Sequence, residues 1–168
     1  MAQYGRPNST IQWLGWSAVG AANREDCLNE VVPNEDVNYI RCVDAGPDTY
    51  ECGLTNVVDP GVHTGHIFRF RFRRDAGLAQ RCVAHFYQGA LYIAQSGTIA
   101  ATDNYQTVET TLTAVQAALI TDYTDLRIWI ISNNMGVGDT LRVTWVELEV
   151  PDAVIAPTVT TNPASGVT

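Results

Sequence analysis

Between His66 and Arg73, Phe68, Phe70 and Phe72 alternate with Arg69, Arg71 and Arg73 in strict period two. Side chains of a β-strand project alternately to opposite faces, so the three rings enter a core while the three guanidinium groups face water or a partner. The alternation recurs at residues 105–112, where Val108, Thr110 and Leu112 share one face and Thr107, Glu109 and Thr111 the other. About eight short strands of this kind, separated by turn signals, make an all-β chain: an antiparallel β-sandwich of jelly-roll type.

The remaining segments fill in the order. Residues 10–16 read as a first strand, with Trp13 and Trp16 around Gly15, and residues 37–43 and 50–54 as two more. Residues 24–32 are expected to form a short helix, because Cys27, Leu28 and Val31 are spaced for one face and Pro33 ends the run. Asp59-Pro60-Gly61 is a turn ahead of the Phe/Arg strand. Residues 82–87 and 90–94 flank Gln88-Gly89 as a hairpin, with Phe86, Leu91 and Ile93 as core candidates. Thr113 and Gln116 have capping-box spacing, which predicts one or two helical turns over 114–119. Residues 126–131 and 141–150 are the closing strands. In the last, the apolar phase moves from Leu141, Val143 and Trp145 to Val146, Leu148 and Val150, which predicts a β-bulge near Trp145. The expected organisation is an amino-terminal arm over 1–8, a sandwich over 9–151 and an extended tail over 152–168, where Pro151, Pro157 and Pro163 oppose a helix.

A chain of 168 residues buries roughly 70% of its unfolded surface, enough for one core without metal or disulfides. Its net charge of −8 disfavours nucleic acid and anionic membranes as partners. No apolar run approaches the ~20 residues of a membrane helix. Residues 1–10 lack the basic and apolar regions of a signal peptide. Cys27, Cys42, Cys52 and Cys82 form no CxxC pair and read as buried free thiols. A Cys42–Cys52 bridge across the intervening turn would need an oxidising setting.

Several clusters resemble chemical sites. His63-Thr64-Gly65-His66 and Cys82-Val83-Ala84-His85 each place zinc-type ligands three apart. Residues three apart on a strand face opposite sides, so ordinary packed or surface histidines are expected. Asp103-Asn104, Asp122 and Asp125 offer oxygen ligands for calcium, but not with EF-hand spacing, and turn chemistry is the expectation. Glu147 and Glu149 share a strand face at about 7 Å. No nucleophile elbow, phosphate loop or His-Glu-x-x-His motif accompanies them, so no catalytic, metal or cofactor-binding residue is assigned. Trp13, Trp16, Trp129 and Trp145, with Tyr87, Tyr92, Tyr105 and Tyr123, would stack on sugar rings if several stood exposed on one face. Trp129 is the best placed, alternating with Leu126, Ile128 and Ile130 and sharing parity with Arg127. Ile131 has the same parity, which favours core or subunit contact. The Arg69, Arg71 and Arg73 row reads as a solvated face balanced by cross-strand acids, or as an ion-paired contact to an acidic neighbour.

The order of motifs is itself recognisable. It runs through Gly15-Trp16, then residues 28–40 with Asn34-Glu35-Asp36 and Tyr39-Ile40, the 66–73 strand, Phe86-Tyr87-Gln88-Gly89, residues 120–127, and Arg142 to Pro151. This resembles small jelly-roll proteins of tailed bacteriophages, described as virion structural or head-decoration proteins, over roughly residues 9 to 151. The resemblance implies a non-enzymatic virion subunit, made in the host cytoplasm, that decorates a capsid without a cofactor. It implies contact with the major capsid or another virion protein, with further copies of itself, and through terminal arms. The candidate interface residues are Arg69, Arg71, Arg73, Trp129, Val154, Ile155 and Val159. The alternative is a carbohydrate-binding, lectin-like sandwich, since fold does not settle function. A solvent-open aromatic platform would distinguish it.

Overall fold

The structure is a computed structural model and describes residues 1–35, 37–43, 47–77, 80–133 and 136–153. Phe68, Phe70 and Phe72 are fully buried within a ten-residue strand, Ile67–Ala76. Each such ring contributes roughly 1.5–3 kcal/mol by leaving water. Phe68 stacks on Phe86 at 5.7 Å and Phe70 on Phe72 at 5.2 Å.

The described strands are β1 (Gln3–Gly5), β2 (Pro7–Leu14), β3 (Trp16–Val19), β4 (Tyr39–Val43), β5 (Thr49–Leu54), β6 (Ile67–Ala76), β7 (Arg81–Gln88), β8 (Leu91–Gln95), β9 (Ile99–Ala100), β10 (Gln106–Thr111), β11 (Leu126–Asn133) and β12 (Thr140–Val150). They are joined by one short helix, α1 (Ala114–Ala117), and a 3-10 turn at Glu25–Cys27. All pairings are antiparallel. The first sheet runs β10-β6-β12-β4-β3, with β1 also on β12; the second runs β2-β5-β11-β7-β8, with β9 on β7. One core fills the space between them, as the alternation predicts. Gly15 makes the corner where the chain leaves the second sheet for the first. Its φ of +75° suits glycine, and a Cβ there would stand 2.0 Å from Asp48 Oδ1.

Residues 1–8 do not form an arm. Gln3, Tyr4 and Gly5 pair with Val150, Glu149 and Leu148, and β2 starts at Pro7. The cause is an edge that needs covering: β4 pairs with β12 only from Thr140 to Val143, and β1 satisfies backbone groups further along the same side. The tail beyond Ala153, including Val154, Ile155 and Val159, lies outside the described residues.

The bulge near Trp145 is present, with Thr144 as the extra residue between the Val143–Phe72 and Trp145–Arg71 pairs. The helix expected over 24–32 is not; only the 3-10 turn forms, with Cys27 and Leu28 buried but Val31 and Val32 74% and 73% exposed. The bulge explains the difference. The Leu28 carbonyl accepts from the Val146 N–H at 3.1 Å, and the Glu30 carbonyl from Trp145 Nε1 at 2.9 Å. Thr144 Oγ1 donates to the Asn38 and Glu35 carbonyls at 2.9 and 3.2 Å. An extended course over the sheet supplies these acceptors, whereas helix-interior carbonyls would already be engaged. The capping box at Thr113 and Gln116 forms as expected. No described helix is long and apolar enough to cross a membrane.

Candidate functional site

On β11, Leu126, Ile128, Ile130 and Ser132 point inward, so Arg127, Trp129 and Ile131 stand on the outer face of the second sheet. Register decides what joins them. Trp129 lies opposite His85 of β7 and Glu51 of β5, and Arg127 opposite Tyr87. Tyr87 faces Tyr92 of β8 because the β7–β8 pairing slips between Phe86 and Tyr87. Ile93 and Ala94 are both buried in consequence, while Leu91 and Tyr92 are both exposed. This corrects the expectation of Leu91 in the core. Simple alternation outward from Ala94 would have turned Tyr92 inward.

Four rings therefore meet on one face. Tyr87 lies 5.6 Å from Tyr92 at 74° and 5.9 Å from Trp129 at 49°; His85 lies 5.8 Å from Tyr92 and 6.3 Å from Trp129, both nearly edge-on. Such tilted contacts suit aromatic quadrupoles and hold the rings in place. Beside them Arg127 donates through Nε to Asp125 Oδ1 at 2.9 Å and through Nη1 to Glu51 Oε1 at 3.4 Å. Glu51, Tyr87, Gly89, Ala90, Arg127 and Trp129 enclose a cleft of about 260 Å³. Its rim is anchored: the Gly89 N–H donates to the Asp125 carbonyl at 2.8 Å, and Gln88 Oε1 accepts from the Thr121 and Asp122 N–H groups at 2.6 and 3.0 Å. Burial pushes the His85 pKa below 6.5 and that of Tyr87 above 10. At neutral pH the platform is thus uncharged rings beside an ion-paired edge. It suits a ligand with a flat apolar side and a hydroxylated rim.

On the first sheet the Arg stripe faces outward, as its alternation predicts, and its charges are met within the chain. Arg69 reaches Glu149 at 2.7 Å, Glu109 at 2.8 Å and Glu147 at 3.7 Å. Arg71 pairs with Glu35 and donates to Thr107 Oγ1 at 3.0 Å, and Arg73 reaches Asp75 at 3.5 Å. Cross-strand register sets this, because Glu109 and Glu147 stand directly opposite Arg69. Glu147, also held by Arg6, is 4% exposed, and burial raises its pKa.

The other candidate clusters disperse. His66 is buried with Nε2 2.7 Å from the Tyr123 hydroxyl, His63 is exposed, Cys82 faces the core and His85 the outer face. Asp103 pairs with Arg74, Asp122 accepts from Thr124, and Asp125 holds Arg127. All four cysteines are free and buried, Cys42 in the first sheet and Cys52 in the second. The sequence named Trp129, Tyr87 and Tyr92 among eight sugar-stacking candidates and placed Arg127 on the face of Trp129, without bringing the rings together. It missed Glu51, and read His85 as an ordinary packed or surface histidine in preference to a zinc ligand; the period-two parity of β5 and β7 was the available signal.

No family model matches the chain, and no curated protein matches it. Among solved structures it is similar to the CBM22-1 xylan-binding domain of Paenibacillus barcinonensis Xyn10C, at 12% identity over 90% of this chain and 94% of that one, TM-score 0.49. It is also similar to a family 61 carbohydrate-binding module in complex with β-1,4-galactotriose, at 11% identity over 88% and 86%, TM-score 0.48. A third is a family 29 module complexed with cellohexaose, at 11% identity over 90% and 93%, TM-score 0.48. These are likenesses of β-sandwich architecture, and they lead to carbohydrate-binding modules rather than to virion proteins. The expectation of a capsid-decorating subunit is corrected accordingly: the solved structures named here are carbohydrate-binding modules, and none of them is a virion protein. Its physical supports have gone elsewhere as well: the first eight residues are woven into both sheets, and the Arg stripe meets acids of its own chain.

Proposed function

We propose that this chain is a carbohydrate-binding β-sandwich that holds neutral saccharide chains on the outer face of its second sheet, without catalysis. The observation that carries the reading is the convergence of His85, Tyr87, Tyr92 and Trp129 beside the Arg127–Glu51–Asp125 edge. A pyranose ring has an apolar face of C–H bonds and an equatorial rim of hydroxyls. The rings receive the first, while guanidinium donors and carboxylate acceptors receive the second. Glu51 and Asp125 both engage Arg127, which makes them a fixed hydrogen-bonding edge.

Calorimetric titration with cellohexaose, xylohexaose and β-1,4-galactotriose tests it. At least one should bind with quenching of tryptophan fluorescence. Trp129→Ala should weaken that binding by about thirtyfold, the loss of a central aromatic anchor worth about 2 kcal/mol, while the circular dichroism spectrum stays that of the parent. Absence of binding to every neutral oligosaccharide in the panel would refute the reading.

A further inference from the structure

On the opposite side of the sandwich, the outer face of the first sheet carries a wider groove of about 670 Å³. Val32, Pro33 and Glu35 of the overlying loop form one wall, Tyr4 of β1 another, and the Arg/Glu lattice of β6, β10 and β12 the floor. Tyr4 is 43% exposed, with the Arg6 guanidinium 5.2 Å from its ring centroid. The floor is held in place before any ligand arrives. Glu109 accepts from Arg69 through Oε1, Glu149 accepts from Arg69 through Oε2, and Glu35 accepts from Arg71 through Oε1. The second oxygen of each carboxylate engages no donor among the described residues, so three oriented acceptors remain. Glu35, Glu109, Glu147 and Glu149 outnumber Arg69 and Arg71 in the lining, which disfavours an anion. An uncharged, hydroxyl-rich chain matches: its O–H groups donate to the open oxygens, and a ring face lies against Tyr4.

We propose that this groove is a second saccharide site, so that one domain engages two neutral glycan chains at once; the inference rests on the carbohydrate reading of the aromatic face. The two sites look away from each other across packed sheets about 10 Å apart. One straight chain cannot lie on both, so double occupancy bridges two chains. On a polymer, bridging turns two modest affinities into avidity.

The same oligosaccharides, titrated calorimetrically, separate the outcomes. The parent should bind two equivalents of one hexasaccharide. Trp129→Ala should retain the equivalent in the groove, and the Tyr4→Ala/Glu149→Gln double variant should retain the one on the aromatic face, its groove binding weakened roughly tenfold or more. Of the three, only the parent should raise the viscosity of a soluble xylan solution. Should the double variant fail to fold, Glu109→Gln on the more exposed acid serves in its place. A parent that binds one equivalent, lost in Trp129→Ala and untouched by the groove variants, overturns this inference and leaves the aromatic-face reading standing. A parent that binds no oligosaccharide overturns both.

Discussion

A guanidinium on an outward strand face is worth little in water and much more where register sets carboxylates beside it. Arg69 serves Glu109, Glu147 and Glu149 from a largely covered position, whereas Arg74 pairs with an Asp103 that stands free in solvent. Arg69→Gln should therefore lower the unfolding free energy by about 1–3 kcal/mol, read as a shift in urea midpoint at constant m, while Arg74→Gln stays within error of the parent. His66 supplies a pH dependence. Burial lowers its pKa from 6.5, so the unfolded chain binds the proton more readily than the folded one. The stabilisation is then complete above 6.5, declines as pH falls below it, and levels off once the folded ring is protonated. His85 acts in the same sense, and Glu147, with a raised pKa, acts oppositely just above 4.5. The urea midpoint should drop as pH is lowered below about 6.5, and the drop should shrink in His66→Gln and in His85→Gln alike. A drop of parental size in His66→Gln would show that His66 is not the group being titrated. The inward or outward sense of these residues was legible from local alternation. Their partners were not, because Arg69 and Glu147 stand 78 positions apart and meet only through the β6–β12 register.

At the scale of elements, the bulge in β12 and the loop residues 28–35 and 37–38 are one device. The phase change around Trp145 was readable, since a period of two cannot keep both Val143 and Val146 inward without an extra residue. The segment reads as a helix because Cys27, Leu28 and Val31 do have helical spacing; the carbonyls that the bulge requires are a demand from another part of the chain. Thr144→Val keeps the shape and removes the donor to Asn38 and Glu35. It should cost about 1–2 kcal/mol, measured by urea unfolding, with the lost stability accompanied by faster amide exchange at Val146, whose N–H rests on Leu28. The slip at Ile93 is the counterpart on β8. Nothing local marks it, and the aromatic face depends on it.

For the whole molecule, the sandwich followed from the alternating strands, and Gly15 marks where the chain changes sheet, yet neither indicates which outer face gathers the aromatic rings. That depends on rings and charges brought together by strands distant in sequence, so the aromatic face could be suspected from composition but not assembled. The net charge of −8 is spread over both outer faces rather than gathered into one acidic patch, with Glu51 and Asp125 on one side and the Glu109–Glu147–Glu149 set on the other. The placement of β1 has a mechanical meaning. Gln3 pairs with Val150, and the Met1 amine lies 2.7 Å from Asp152, so the two ends of the described fold leave side by side. A force pulling those ends apart loads the β1–β12 ladder one rung at a time, as a zip is opened, instead of shearing all rungs together. Tension carried through residues 1 and 152 would peel β1 first, at low force, and leave β12 clamped between β6 and β4 until the load had passed through β2 and the second sheet.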